Sequence, residues 1–171
     1  MKTPDAFIHY DDTIFREMRR QKQALTEDQC IALLTNETRG VLSVIGDGGY
    51  PYGVPINHYY DPETGRLYFH GAKFGHRVEA AEKCGKVCYT VFDRGFVKEG
   101  DWALNVSSVI IFGRIRPVTD EERAIDLCRK LCYKFTDDED YIADEIAKCA
   151  KATLVLELIP EHMTGKLVNE K

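Results

Sequence analysis

The sequence predicts a mainly β chain with inserted helices, folded as an antiparallel barrel of about six strands. Three observations predict it. Apolar residues recur with the two-residue period of strands in several short runs. Turn-forming clusters such as GDGG (46–49) and DPETG (61–65) join neighbouring runs as hairpins. Helical segments do not alternate one for one with the strands, which argues against a doubly wound parallel sheet.

Residues 1–24 read as a polar N-terminal arm ending in Arg16, Arg19, Arg20 and Lys22, and 25–171 as a single domain. Thr26, with Gln29 three residues on, forms a capping-box pattern, and Cys30, Ile31, Leu33 and Leu34 supply the apolar stripe of a short helix that Gly40 closes off. VLSVI (41–45) is a strand, and YPYGVPINHYY (50–60) is a second, placed at an edge or bulge by Pro51 and Pro55. RLYFH (66–70) is a third. HRVEAAEKC (76–84) is a helix, KVCYTVFD (86–93) a strand and RGFVKEGDWALN (94–105) an irregular connection. VSSVIIFGRIRPV (106–118) is a long strand. Thr119, with Glu122 three residues later, starts a helix running through Phe135. DDEDYIADEIAKCAK (137–151) is a further helix with acidic residues in its first turn, where the macrodipole favours them. TLVLELI (153–159) is the last strand, and EHMTGKLVNEK a tail.

The 171 residues suffice for a real core, since a domain of this size buries roughly 68–70% of its unfolded surface. The formal charge of −5 gives no global reason to bind nucleic acid or an anionic membrane. No apolar run approaches the roughly 20 residues that span a bilayer. Met1 to Tyr10 lacks a signal-peptide apolar region, so a cytoplasmic location is expected. The six cysteines (30, 84, 88, 128, 132 and 149) read as buried structural thiols rather than a disulfide framework or a metal site.

GDGG is followed by a strand, not a helix, and so fails as a dinucleotide fingerprint. No P-loop, G-x-S-x-G or H-E-x-x-H occurs, and P-loop nucleotide hydrolysis, serine hydrolase and metalloprotease chemistry have no support. The informative segment is FHGAKFGHR (69–77), which brings a strand end, Gly71, Gly75, Lys73, His76, Arg77 and a helix N-terminus within nine residues. A helix N-terminus offers free N–H groups, and glycines let an anion approach the backbone, so a phosphate is the natural occupant. Taken alone, the segment also reads as a solvated basic turn, and His70 as a satisfied barrel histidine.

Seven segments in order carry a resemblance: MRRQKQALTEDQCIALL (18–34), RGVLSV (39–44), PYGVPINHYYD (51–61), LYFHGAKFGHRVEAAEK (67–83), KVCYTV (86–91), SVIIFGRIRPV (108–118) and TGK (164–166). The chain resembles the pyridoxamine 5'-phosphate oxidase-like flavoproteins, and within them the nitroimidazole-resistance (Nim-type) branch. The resemblance implies a six-stranded antiparallel split β-barrel that binds FMN at a homodimer interface. It implies that Val54, Pro55, Ile56 and Asn57 lie along the flavin ring and that His70, Gly71 and Ala72 border the ribityl chain. Lys73, His76 and Arg77 hold the phosphate, and Ser108, Val109 and Lys166 add contacts. No metal is implied. Bound FMN would pass electrons to a small, nitroaromatic-type acceptor, with His70 beside the ring as the catalytic candidate and Tyr52, Phe96 and Trp102 as stacking candidates. The alternative is a flavin- or haem-binding module without turnover. Two positions depart from the family pattern: Ser107 stands where relatives commonly carry arginine, and the tail closes in GKLVNEK without the arginine-bearing ending of true pyridoxamine-phosphate oxidases.

Overall fold

The computed structural model describes residues 15–169, so the first fourteen residues of the expected arm lie outside it. The strands are β1 (Arg39–Ile45), β2 (Pro51–Asn57), β3 (Tyr59–Asp61), β4 (Arg66–Ala72), β5 (Lys86–Phe92), β6 (Phe96–Val97), β7 (Leu104–Pro117) and β8 (Thr153–Asn169). They form one antiparallel sheet in the order β2-β1-β5-β7-β8-β4-β3, with β6 paired to β7. The two outermost strands on that path, β2 and β3, are consecutive in the chain and separated by His58 alone. The sheet therefore curls until its edges meet, which gives the split barrel that the sequence predicts.

Alternation sorts the strands' side chains. Leu42 and Val44, Val87, Tyr89 and Val91, and Val109, Ile111 and Ile115 point into the barrel and are buried. Each such aliphatic side chain contributes about 1.5–3 kcal/mol on burial. Helix α1 (Glu27–Asn36) adds Cys30 and Leu34, and α2 (His76–Lys83) adds Ala80 to the same core. Both limbs of the Thr26–Gln29 capping box are formed.

Four departures from the sequence reading have a local reason. The run 50–60 is broken at His58, where the chain leaves one edge of the sheet for the other. The expected tail is strand: β8 runs on to Asn169 because β7 is fourteen residues long and offers a paired edge along its whole length. The connection 94–105 contains the short β6. Helix α3 (Glu121–Cys132) is capped by Asp120, not Thr119; the Asp120 carboxylate accepts from the Arg123 N–H at 3.0 Å and leaves Glu121 and Glu122 in the first turn. Helix α4 (Glu139–Cys149) is capped by Asp138 in the same way. All six cysteines are free thiols; Cys30 is buried, Cys84, Cys88, Cys128 and Cys132 are half-buried and Cys149 is exposed, so the expectation of buried thiols holds fully only for Cys30.

The corner at His58 is tied by hydrogen bonds. The buried ring donates from Nε2 to the Leu34 carbonyl at 2.8 Å and accepts at Nδ1 from the Tyr89 hydroxyl at 2.8 Å. A carbonyl can only accept, which assigns the proton to Nε2. Lys134 donates to the carbonyls of Leu34 and Glu37 at the end of α1. Gly40 makes room for the Tyr89 ring, since a Cβ there would lie 2.7 Å from its hydroxyl. Burial, reinforced by the Lys134 charge, pushes His58 down to about 4, and burial lowers Lys134 to about 8.

On the outside of the barrel, α3 packs Leu127 over Tyr68 and Val155. Beside this small cluster the buried Glu157 carboxylate takes Arg66 (2.8 Å), Arg123 (2.9 Å) and Tyr68 (3.2 Å) on Oε1 and Arg116 (2.7 Å) on Oε2. Burial opposes its ionisation, but the hydrogen bonds and charges of Arg116 and Arg66 hold its pKa below the usual carboxylate range. Glu157→Ala leaves three guanidinium groups without their shared acceptor and is expected to cost about 3 kcal/mol, read as a drop in the urea midpoint.

Candidate flavin site

The end of β4, the loop after it and the start of α2 form one corner. Gly75, at φ 115°, caps α2 without any side-chain hydrogen bond, leaving the helix N-terminus without a side-chain acceptor. Arg77 folds back so that its guanidinium lies against the β4 backbone at Gly71. A Cβ at Gly71 would stand 2.3 Å from Nη2, so the glycine leaves room for this placement of the guanidinium. The Arg77 Nε is buried and has no hydrogen-bond partner among the described residues. Burial lowers the Arg77 pKa, the desolvation cost of packing a guanidinium into this corner.

His70 leaves β4 with an exposed ring, and desolvation by its surroundings together with the Arg77 charge lowers its pKa below the ordinary histidine value. His76 stacks on Tyr52 with ring centroids 4.2 Å apart, and its Nε2 accepts from the Asp47 main-chain N–H at 3.3 Å. The Asp47 carboxylate in turn binds Lys83 at 3.3 Å. Lys73, Phe74 and Ala72 are exposed on the loop side of the corner.

The other expected site residues are placed differently. Among the described residues β2 pairs only with β1, which leaves its second edge unpaired, but the Ile56 side chain is in the core and the Ile56 carbonyl lies 3.3 Å from the Tyr89 hydroxyl, whose proton goes to His58. Val54 is half-buried, Pro55 is exposed, and the Asn57 side chain accepts from Arg39 at 2.8 Å. Ser108 lies opposite Lys166, and Val109, opposite Gly165, is fully buried in the core. The β8 partner of His70 is Val155, eleven residues from Lys166, or roughly 35 Å of strand path. Within one chain, then, the corner gathers His70, Gly71, His76 and Arg77, while Ser108, Val109 and Lys166 form a separate group. Phe96 and Trp102 are exposed on the β5–β7 connection and not beside His70 in any observed contact.

Asp47, Gly46 and the role of Tyr52 beneath His76 were not anticipated. The only sequence signal was GDGG, which reads as a turn; a Cβ at Gly46 would lie 3.0 Å from His76 Nε2, so the glycine is there to let the turn approach the ring. Two clefts, of about 300 Å³ beside Tyr59, Tyr133 and Lys134 and about 470 Å³ beside Arg116 and Arg123, contain none of the expected site residues.

The curled antiparallel sheet, its two outermost strands joined at His58, has the architecture of a split barrel. The chain belongs to the pyridoxamine 5'-phosphate oxidase family, whose model matches residues 26–167. No curated relative matches it. Among solved structures, it is similar to a candidate 5-nitroimidazole antibiotic resistance protein from Bacteroides thetaiotaomicron (TM-score 0.71, 18% identity, 85% of this chain and 87% of that one). It is also similar to the flavocytochrome Anf3 from Azotobacter vinelandii (TM-score 0.74, 21% identity, 90% and 72%). A third likeness is to the FAD and heme binding protein from Mycobacterium smegmatis (TM-score 0.69, 18% identity, 86% and 73%). At these identities the likenesses bear on the fold.

Proposed function

We propose that this protein is an FMN-binding oxidoreductase that passes electrons from the reduced flavin to a small planar acceptor of the nitroaromatic kind. The single observation that carries the reading is Arg77, whose buried Nε has no acceptor among the described residues, beside the glycine-lined strand end and the α2 N-terminus. A phosphate monoester supplies the missing acceptors and two negative charges. Lys73 and His76 flank it, and the open edge of β2 at Val54–Asn57 offers main-chain groups to the ring. When bound, the flavin supplies the electron and hydride chemistry, and the chain supplies position and access. With its lowered pKa, His70 is mainly uncharged at neutral pH and orients the acceptor through a hydrogen bond.

The working unit in this reading is a homodimer. Ser108, Val109 and Lys166 reach the flavin from a second copy, which accounts for their separation from the corner in one chain. Support comes from the outer face of β5 and β7, where Phe92, Ile110 and Phe112 are exposed. Six unpaired thiols suit a reducing compartment such as the cytoplasm, and no described helix is long and apolar enough to cross a membrane. A second reading, a flavin or haem carrier without turnover, draws on the flavocytochrome and FAD- and haem-binding likenesses.

The absorption spectrum of the protein as purified distinguishes flavin, haem and empty forms. A yellow dimer whose flavin is bleached by a reduced nicotinamide and reoxidised anaerobically by a nitroaromatic compound is the expected result. Reoxidation by oxygen alone would leave the carrier reading.

A further inference from the structure

We propose that the β1–β2 turn at Gly46 and Asp47 is a positioning element for this site, presenting His76 to the ligand's anion with Nε2 as acceptor and Nδ1–H as donor. The inference rests on the FMN reading and concerns how one of its residues is set. A main-chain N–H can only donate, so the 3.3 Å contact from Asp47 to Nε2 requires a lone pair on that nitrogen. The Asp47 carboxylate stands 3.7 Å from Nε2, too far for a hydrogen bond, and is occupied by Lys83. Tyr52 stacks on one ring face at 4.2 Å and opposes its rotation. Gly46 permits the approach: a Cβ there would lie 3.0 Å from Nε2 and 3.1 Å from the Tyr52 Cβ.

The ring is held at one nitrogen and on one face, which leaves Nδ1–H as the donor with no partner among the described residues. One residue further along the chain, Arg77 brings its guanidinium with an unpartnered Nε. A directed donor one residue before Arg77 adds a hydrogen bond to a phosphate oxygen at the α2 N-terminus. Asp47 is thus a positioning residue that acts through its backbone.

The test removes the N–H without removing the turn. Asp47 opens a short 3-10 turn (Asp47–Gly49), where proline is tolerated, and Gly46 is already in the extended conformation that precedes proline. FMN and riboflavin are titrated against the wild type, Asp47→Pro, Asp47→Asn, His76→Asn and His76→Gln by flavin fluorescence. The expected result is an about 10-fold weaker FMN affinity in Asp47→Pro with riboflavin unchanged, and less than about 2-fold change in Asp47→Asn, which keeps the N–H. His76→Asn, whose amide nitrogen takes the place of Nδ1, retains FMN binding, whereas His76→Gln loses it to the same extent as Asp47→Pro. Long-range proton–nitrogen NMR of the wild type shows the Nδ1–H tautomer at His76. Unchanged FMN affinity in Asp47→Pro, or an Nε2–H tautomer in the wild type, overturns the inference. A wild type that does not prefer FMN to riboflavin overturns the phosphate reading instead, and the NMR spectrum still reports on the turn.

Discussion

Arg77→Leu binds FMN about 30- to 100-fold more weakly than the wild type, while riboflavin affinity changes by less than about 3-fold. The magnitude is that of charge-assisted hydrogen bonds, about 2–3 kcal/mol when one charged partner is removed. The same variant gives an unusual stability signature. In the flavin-free protein the Arg77 Nε is buried without an acceptor and the guanidinium is desolvated against Gly71, so the side chain is held at a cost to the fold. Replacing it with an apolar side chain leaves the flavin-free protein at least as stable, in contrast to the usual loss on mutating a half-buried arginine. Arg77→Lys keeps the charge but not the planar fork, and is expected to fall between the two. Thermal melts of the flavin-free proteins and flavin titrations together check the prediction; a marked loss of stability with unchanged FMN binding would make Arg77 a structural residue.

The second large effect is on the fold in acid. His58 joins the two edges of the barrel and is fully buried, with a pKa near 4 against about 6.5 in an unfolded chain. Above about pH 6.5 neither state holds the proton and the full stability is present. Between about pH 6.5 and 4 the unfolded chain takes up a proton that the folded corner excludes, and stability falls progressively. Below about pH 4 both states are protonated and the loss is complete, at about 3 kcal/mol. Protonation would place a charge in a buried site and beside the Lys134 ammonium, which is why the corner rejects it. His58→Gln is expected to be less stable at neutral pH and to show a flatter decline over this window. Urea unfolding at about pH 7 and about pH 4.5 measures both. Parallel pH dependence in the wild type and the variant would remove His58 from the acid response. His58→Ala, which opens a cavity and strips the Leu34 carbonyl and Tyr89 hydroxyl of a partner, is expected to cost about 3–4 kcal/mol.

Much of the barrel can be read in advance because its alternation is local: Leu42 and Val44 or Tyr89 and Val91 announce the buried face within five residues. The corner at His58 cannot, because YPYGVPINHYY keeps a strand-like composition straight through the point where the chain changes edges. The extension of β8 is equally hidden. EHMTGKLVN has a glycine and little alternation, and it is strand because β7 pairs with it across Ser108–Lys166. The Glu157 clamp draws its arginines from β4, β7 and α3, and no short window contains it.

The candidate site divides along the same line. His70, Gly71, His76 and Arg77 are close in the chain, so FHGAKFGHR displays them together, and the structure keeps them together. The grip of Asp47 on His76 spans 29 residues and depends on a main-chain N–H, which no side-chain pattern records. Val109 and Ile56, named through the family likeness, have their side chains turned into the core, so any contribution they make to a ligand comes from the backbone.

Side-by-side titration of the purified wild-type protein with FMN and riboflavin decides whether the β4–α2 corner holds a phosphate. FMN is expected to bind at least about 100-fold more tightly than riboflavin, the difference falling steeply with added salt as charge-assisted contacts do. Equal affinities for the two flavins, or no binding of either, would contradict a phosphate at Arg77 and with it the flavin site proposed for this chain.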